Sequence, residues 1–308
     1  LGSSDWSIVW QLLPFYLSLF ILGMPHGAAD HLLLWGLSGK DSASFKIVSL
    51  LLYVSISGLY LFAWGIWPVY SAVFFLVLTI FHWGQGDRYI SVKLHRASYL
   101  ERSSLLKILH IMARGSIPIL LPGFLGNETY RLFLEAMIRQ GGQVDYDLTW
   151  VSQNHFFFLL VPLLLTVLQL SFSMIQLHGK EGKAWGLDLA EACFLFSWFL
   201  FLPPLWALGI YFALWHSLRH GLRIIWMDPT GKKSLLTGAY LKLKSRWLQI
   251  SGLMTVLALV GLWFLLALPL KFRGIELDWL GKAMLGISIL TLPHTIVVCL
   301  MDRFQLKK

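Results

Sequence analysis

The 308-residue sequence is apolar at 57% of its positions and charged at only 13%, about half of the roughly 25% charged residues of an ordinary soluble domain. The mean hydropathy is +0.67 and the formal net charge is +9. This composition excludes an ordinary water-soluble protein, because a folded chain of this size could not hide so much apolar surface from water.

Nine apolar runs follow one another along the chain, and a helix needs about 20 apolar residues to cross the membrane. They cover residues 7–24, 45–67, 69–84, 104–125, 155–177, 187–202, 205–226, 247–269 and 280–300. Backbone groups in lipid must be satisfied within their own element, so the runs are predicted to be helices. The alternation of a barrel strand is absent. The first run lacks a basic region before it and a cleavage site, so it is not predicted to be a removed signal peptide.

The predicted fold is therefore an all-α, polytopic helical membrane bundle, with residues 1–308 forming a single membrane-embedded domain. The runs 69–84 and 187–202 are short, so the predicted number of transmembrane helices is eight or nine. Residues 128–139 are expected to form a short amphipathic helix outside the membrane.

Basic residues are distributed unevenly between the two sides of the membrane. With nine spans and the first terminus outside, 19 of the 25 lysines and arginines lie on one side, five on the other and Arg114 within a span. The positive-inside rule makes the basic side cytoplasmic, including loops 85–103 and 227–246, in a cell (inner) membrane. A nucleic-acid site is not expected, because the charges are scattered among short loops between membrane helices.

Four short motifs place histidine within or beside the apolar runs, where ionisable residues are rare and need a reason. They are PHGAADH at 25–31, FHWGQGD at 81–87, WHSLRH at 215–220 and PH at 293–294, the last followed by MDR at 301–303. In the predicted topology His26 and His82 end spans one and three at the cytoplasmic face. His216, His220 and His294 lie in the cytoplasmic parts of spans seven and nine. Histidines from four distant segments are thus predicted at a similar depth.

The spacing within these motifs favours a metal site. His216 and His220 are four residues apart, so a helix places both rings on one face, where they can bind one ion. Pro25 and Gly27 would disturb the helix around His26 and could aim its side chain into a cavity. Asp30, four residues later, could accept a hydrogen bond from a ligand ring. For any one motif, an interfacial or capping histidine is the alternative.

The other ionisable residues of the apolar runs are expected to have ordinary roles. Arg114 is predicted to reach the membrane surface or to pair internally. Asp188 and Glu191 are predicted to open the sixth span, where anions favour a helix N-terminus. The remaining histidines are predicted to be interfacial: His95, His110, His155 and His178.

Taken together, PHGAADH, FHWGQGD, WHSLRH and PH…MDR resemble the Brp/Blh-type (bacteriorhodopsin-related) family of β-carotene 15,15′-dioxygenases. The resemblance runs from His26 to Asp302, in the order of the family's motifs. It implies an oxidoreductase, a non-haem iron(II) dioxygenase that cleaves β-carotene at its central 15,15′ double bond with O2 and gives two all-trans-retinal molecules. It also implies a functional link to a retinal-binding rhodopsin.

The resemblance also implies site residues. The predicted iron ligands and catalytic residues are His26, His82, His216 and His220. Supporting roles, or direct ligation in the case of His294, are implied for Asp30, His31, Asp87 and His294. Because the substrate is an apolar polyene of bilayer length, it would enter from the lipid, and aromatic side chains near the motifs would line its tunnel: Trp35, Phe81, Trp83, Tyr211 and Trp215.

Two other classes fit parts of the pattern. A membrane di-iron hydroxylase or desaturase would use His26-x4-His31 and His216-x3-His220 as histidine boxes, but such sites usually need about eight clustered histidines including an HxxHH, which the sequence lacks. A non-enzymatic haem- or metal-binding membrane protein would need facing histidines near mid-membrane, or a chain of polar residues across the bilayer. Iron stoichiometry and a haem absorption band distinguish these classes.

Overall fold

A computed structural model describes residues 8–38, 42–139, 146–267, 271–272, 275–276 and 279–306. Among them helix dominates, which confirms the all-α fold class. The α-helices are α1 (Ile8–Ser18), α2 (Met24–Ala28), α3 (Asp30–Ser38), α4 (Ala43–Ile66), α5 (Pro68–Lys93), α6 (Ser104–Leu120), α7 (Pro122–Leu125), α8 (Asn127–Arg139), α9 (Thr149–Gln153), α10 (Phe157–Ile175), α11 (Gly182–Phe201), α12 (Pro204–Ile210), α13 (Leu218–Met227), α14 (Pro229–Leu236), α15 (Tyr240–Ala267) and α16 (Trp279–Leu306).

Three other helical segments and a small hairpin complete the described chain. Two segments are π-helical, Leu19–Gly23 and Tyr211–Ser217, and Ser98–Glu101 is a 3₁₀-helix. Lys271–Phe272 (β1) pairs antiparallel with Ile275–Glu276 (β2). The amphipathic helix predicted at 128–139 is confirmed as α8.

Eight helices among the described residues are long and apolar enough to cross a membrane. They are Leu13–Gly36, Ala43–Ile66, Pro68–Lys93, Ser104–Leu125, His155–Ile175, Gly182–Phe201, Tyr240–Phe264 and Gly281–Leu306. The outer face of α4 is apolar and open, with Val54, Leu59 and Phe62 each more than 60% exposed. Such a surface suits lipid and not water. The protein is therefore a multi-pass membrane protein.

Several predicted boundaries are wrong in one direction: the helices run beyond the apolar runs. The run 69–84 is part of α5, which continues to Lys93, and most of the run 187–202 is part of α11, which begins at Gly182 and ends at Phe201. Hydropathy ends a span at its first polar residues, but α5 continues where Gln85 and Asp87 are buried. The predicted loops 85–103 and 227–246 are also shorter than predicted, since α5 and α15 enter them.

The run 205–226 is absent from the eight candidate spans. Its segment is helical over α12, the π-helix and α13, but His216, Arg219, His220 and Arg223 lower its hydropathy. Eight is thus the number of helices that qualify by length and composition.

The described residues form two compact units. Unit 1 comprises the described parts of residues 1–15, 73–135 and 145–211, and unit 2 those of residues 16–72, 136–144 and 212–308. The single-domain prediction is not tested by this grouping.

Unit 1 is built on α6, which packs against α10 and α11. A close helix approach joins α5 and α6 through two glycines. A Cβ at Gly84 would lie 1.8 Å from the carbonyl oxygen of Ile111, and one at Gly115 would lie 1.7 Å from that of Ile80. Gly84 of the FHWGQGD motif therefore serves backbone contact between helices, and the helix is not broken there.

A buried ion pair lies inside unit 1. The Arg114 guanidinium donates to the Asp188 carboxylate at 2.5 Å, and Gln169 and Tyr99 donate to the other carboxylate oxygen at 2.9 and 3.3 Å. The internal pairing predicted for Arg114 is confirmed. The prediction that Asp188 opens its span is wrong, because α11 begins at Gly182. His110 is not interfacial either: it is fully buried, with Nδ1 3.7 Å from Asp188.

Unit 2 is built on α16, which packs against α3, α4 and α15. Buried apolar residues of α13, α15 and α16, among them Ile225, Ile250 and Val298, form one core cluster with Ala29 and Leu33. An ion pair also joins two of these helices: Arg223 of α13 donates to Asp302 of α16 at 2.5 Å, with both side chains buried. These contacts fix α13 beside α16, and both helices carry motif histidines.

Candidate metal centre

The first helix of the chain is irregular just before its histidine. The π-helical turn Leu19–Gly23 precedes Pro25, which has no N–H to donate and whose ring needs space beside the preceding turn. His26 follows within α2, and Ala29 interrupts the helix before α3. Wide turns of this kind often occur at functional sites. His26 lies in the middle of the candidate span Leu13–Gly36, so the prediction that it ends its span is wrong.

The second contribution comes from the helix that carries WHSLRH. His216 lies in the π-helical segment Tyr211–Ser217, and His220 lies one turn later in α13. The third comes from α16, where His294 follows Pro293 near the middle of the helix. The histidines of all three segments belong to unit 2.

Four imidazoles, all from unit 2, lie close to one another. The ring of His26 lies 5.3 Å from that of His216, 5.4 Å from that of His220 and 5.0 Å from that of His294, centroid to centroid. The rings of His220 and His294 are 5.4 Å apart. All four side chains are buried, with at most 6% of each residue exposed. Three segments distant in sequence thus bring four imidazoles together.

The spacing of the four rings fits ligands of one metal ion. A metal–nitrogen bond of about 2.1 Å puts the ring centroid about 3.2 Å from the ion, so two ligand rings at tetrahedral or octahedral angles are about 4.5–5.2 Å apart. The observed centroid distances lie at or slightly above this range. A ring nitrogen of His26 and one of His294 lie within 4.8 Å of each other. Imidazole suits iron, zinc, copper and nickel, so the donor set fits iron without selecting it.

Two of the rings are oriented by hydrogen bonds at Nδ1. His26 Nδ1 is 3.2 Å from the carbonyl oxygen of Leu22. A carbonyl only accepts, so Nδ1 donates and Nε2 of the neutral ring carries the lone pair. His294 Nδ1 lies 2.9 and 2.8 Å from the two oxygens of Asp30, which gives the same tautomer. Such pairing is the usual way in which a ligand ring is fixed.

The partner of Asp30 differs from the one predicted. Sequence spacing suggested His26, four residues earlier, but the carboxylate accepts from His294, 264 residues away in the chain. It also accepts from the Tyr53 hydroxyl at 3.1 Å. Asp30 is 2% exposed, so the carboxylate that His294 and Tyr53 both contact is buried.

Sequence reasoning missed two residues beside the cluster. Tyr53 lies in the apolar run of α4, and apart from its hydroxyl group its side chain fits the apolar pattern of that run. The Phe212 ring stacks on His216 at 6.0 Å and meets His26 edge-on at 6.1 Å. Its position four residues before His216, on the same helix face, was a usable signal. Gly23 allows this approach, since a Cβ there would lie 2.5 Å from the Phe212 ring.

The other residues predicted around the ligands are His31, which belongs to unit 2, and His82 and Asp87, which belong to unit 1. His31 is half-buried, donates from Nδ1 to the Ala28 carbonyl at 2.8 Å and packs against Trp35. His82 and Asp87 are buried in α5 of unit 1, and His82 lies within that helix and not at its end. That His31, His82 or any of the four clustered histidines binds a metal stays a prediction.

The aromatic residues predicted to line a substrate tunnel have contacts of their own. Trp35 donates from its indole to Ser49 at 3.0 Å. In unit 1, the rings of Trp83 and Tyr211 are 5.2 Å apart. The remaining two differ in surroundings: Phe81 is half-buried, and Trp215 carries the Arg219 guanidinium 3.7 Å above its ring. Their role in binding substrate stays a prediction.

Comparison with known proteins gives a consistent result. The family model described as "Beta-carotene 15,15'-dioxygenase" matches residues 17–302. A Halobacterium salinarum protein named probable beta-carotene 15,15'-dioxygenase Blh is 34% identical over 95% of this chain and 84% of its own length. The beta-carotene 15,15'-dioxygenase of uncultured marine bacterium 66A03 is 25% identical over 90% of this chain and 89% of its own length. No solved structure matches. The chain belongs to the β-carotene 15,15′-dioxygenase family.

Proposed function

We propose that this protein cleaves β-carotene at its central 15,15′ double bond and forms two molecules of all-trans-retinal. The observation that carries the proposal is the match of the family model to residues 17–302, together with relatives named for this reaction. The multi-pass architecture supports it, because β-carotene is apolar and dissolves in the bilayer. The lipid-facing helices give such a substrate a lateral route to the protein.

We propose that His26, His216, His220 and His294 hold iron(II). The support is the burial of the four rings, their spacing and the Nδ1–H hydrogen bonds that leave Nε2 of His26 and His294 as the donor atoms. His82, which is buried, is a further proposed ligand because of its sequence motif. Bound iron(II) would supply the activation of dioxygen for addition to the alkene.

The overall reaction balances without a reductant. The central C=C bond of the substrate breaks, both atoms of O2 are incorporated, and each new terminus becomes an aldehyde. A hydroxylase or desaturase reaction would instead need two electrons from a donor protein. In the present proposal the chain has to orient the metal ligands, exclude water and admit the polyene. The hydrogen bonds at Nδ1 of His26 and His294 would orient the ligand rings, and the burial of the imidazoles beside the Phe212 ring would exclude water.

The orientation derived from charge is part of the proposal: an inner-membrane protein with its basic loops in the cytoplasm. His26 and His294 lie near the middle of their helices. This position favours a metal centre deeper in the membrane than the cytoplasmic end at which sequence reasoning placed it. An apolar polyene reaches such a depth without leaving the lipid.

The test is expression of the chain in cells that accumulate β-carotene, followed by extraction of pigments. We expect loss of β-carotene and appearance of retinal. His294→Ala should abolish retinal at an unchanged protein level, and His155→Ala, a half-buried histidine outside the cluster, should retain it. Folded wild-type protein that leaves β-carotene intact would contradict the proposal, and apocarotenals of unequal length would contradict central cleavage.

A further inference from the structure

We propose that Tyr53 is a positioning residue of the metal centre, which acts through Asp30 on the ring of His294. This inference rests on the proposed function, since it assumes that His294 is a metal ligand. Tyr53 lies outside all the histidine motifs, on a helix that contributes no motif residue.

The first step of the argument is the geometry of the carboxylate. Asp30 Oδ2 accepts from Tyr53 at 3.1 Å and from His294 Nδ1 at 2.8 Å. The same hydroxyl is 3.5 Å from the carbonyl oxygen of Leu290, one turn before His294. The hydroxyl therefore touches both the carboxylate and the helix that carries the ring.

The second step is rotational freedom. The terminal torsion of an aspartate is broad, so a carboxylate held by one partner can turn about its Cβ–Cγ bond. Two donors at one oxygen, from α4 and α16, restrict that rotation. A fixed carboxylate in turn fixes the plane of the His294 ring and the direction of its Nε2 lone pair.

The third step separates the hydroxyl from the ring of Tyr53. The ring packs against the buried apolar cluster that includes Ala29, Val297 and Val298. Phenylalanine preserves that packing, so Tyr53→Phe removes the hydrogen bonds and little else. Tyr60 is a matched control on the same helix: its hydroxyl donates to the Ser71 carbonyl of α5 at 2.9 Å.

The experiment is titration of purified, metal-free protein in detergent with cobalt(II), a spectroscopic substitute for iron(II). The measured quantities are the dissociation constant and the visible d–d absorption bands. Outer-shell partners of ligand histidines typically change metal affinity by about 10–100-fold. We expect Tyr53→Phe to weaken cobalt binding about 10-fold and to shift the bands, and Tyr60→Phe to match the wild type.

A double-variant cycle tests the route through Asp30. If Tyr53 acts by holding that carboxylate, Tyr53→Phe should add little in an Asp30→Asn background. Additive effects would overturn the proposal, as would wild-type affinity and bands for Tyr53→Phe. If Tyr53→Phe does not fold, the loss of unfolding temperature marks the hydroxyl as a structural element and overturns the positioning role.

Failure of the proposed function gives a different result. Wild-type protein that binds no cobalt(II) would remove the metal centre itself, and with it any role of Tyr53 in positioning. Wild-type protein that binds one cobalt(II), with Tyr53→Phe indistinguishable from it, would remove only the inference about Tyr53.

Discussion

At the scale of single residues, His26 is the middle of the histidine cluster. Its ring contacts those of His216, His220 and His294. It is oriented by a backbone carbonyl, whereas His294 is oriented by a carboxylate. Asp30 therefore connects one ring of the cluster to an acidic side chain.

The central position of His26 gives a prediction for metal content. His26→Gln should lose the bound metal, because it removes the ring that faces the three others. His155→Gln is the control, since that ring contacts Phe124 and Phe156 and no member of the cluster. Metal per purified chain, measured by elemental analysis after iron loading, should fall from about one to near zero in the first variant only. Two irons per wild-type chain would instead favour a di-iron enzyme.

The sequence predicted the histidines of this site but not the hydrogen-bond partner of His294. His26, His216, His220 and His294 could be found because histidine is rare in apolar runs. The pairing of His294 with Asp30 could not, since nothing local connects residues 264 positions apart. Spacing of i, i+4 favoured a neighbour in sequence, and the fold supplied a different one.

At the scale of helices, a glycine and buried polar residues explain why the end of α5 was predicted too early in the sequence. α5 continues past His82 because Gly84 lets it touch α6 at backbone distance, and Gln85 and Asp87 are buried in unit 1. A hydropathy profile treats these polar residues as the start of a loop. It carries no information on whether a neighbouring helix covers them.

Close contact between α5 and α6 gives a prediction for stability. Gly84→Ala should destabilise the protein by several kcal/mol, because its Cβ would lie 1.8 Å from the Ile111 carbonyl oxygen and the two helices must separate. Gly58→Ala on α4 has no atom within 4 Å of the new Cβ and should be neutral or slightly stabilising. Thermal unfolding in detergent compares the two. Equal unfolding temperatures would contradict the close packing.

The ion pair between α13 and α16 gives a second stability prediction. Asp302→Ala leaves the buried Arg223 guanidinium without its carboxylate partner, which typically costs about 3–5 kcal/mol. Replacing both residues by apolar ones of similar size, as in Arg223→Met with Asp302→Leu, should restore most of that loss. Unfolding midpoints of the single and double variants check it. A double variant no more stable than Asp302→Ala would show that the pair is not the source of the effect.

A third prediction concerns pH and the turn between α13 and α14. Asp228 caps α14 at the Gly231 amide and binds Arg246 through both oxygens. Hydrogen bonds from Arg246 hold the pKa of Asp228 below its usual value. A lowered folded pKa stabilises the protein above about pH 4, and this contribution is lost as the pH falls through the folded pKa.

Asp228→Asn keeps an N-cap but removes the charge, so it should lower stability by about 1 kcal/mol at neutral pH. The difference from wild type should close as the pH falls below 4, where the wild-type carboxyl also becomes neutral. Unfolding midpoints of both proteins across this range measure it. A difference that does not change with pH would contradict the role of the charge.

At the scale of the whole molecule, each unit contains a group of polar side chains: the ion-pair network of Arg114 and Asp188 belongs to unit 1, and the four clustered histidines belong to unit 2. Composition predicted the membrane class and the approximate number of helices. The sequence predicted a span at residues 205–226, which is absent from the eight candidate spans because this helical segment also carries His216, His220 and Arg223. These three side chains are buried, so none of them is offered to lipid.

The helix over residues 204–227 is about 36 Å long at 1.5 Å per residue, enough to cross about 30 Å of hydrocarbon. We expect it to cross, which makes nine crossings and puts Arg139 and Lys233 on opposite sides of the membrane. If it does not cross, two spans separate those residues and both lie on one side.

Single cysteines at the two exposed positions, in a chain with Cys193 and Cys299 replaced, test this with a membrane-impermeant maleimide. In intact cells, Arg139→Cys should react at once and Lys233→Cys only after lysis, as the basic loops require. Labelling of both from outside, or of neither, would mean that the histidine-bearing helix turns back within the membrane, and reversed labelling would overturn the orientation derived from charge.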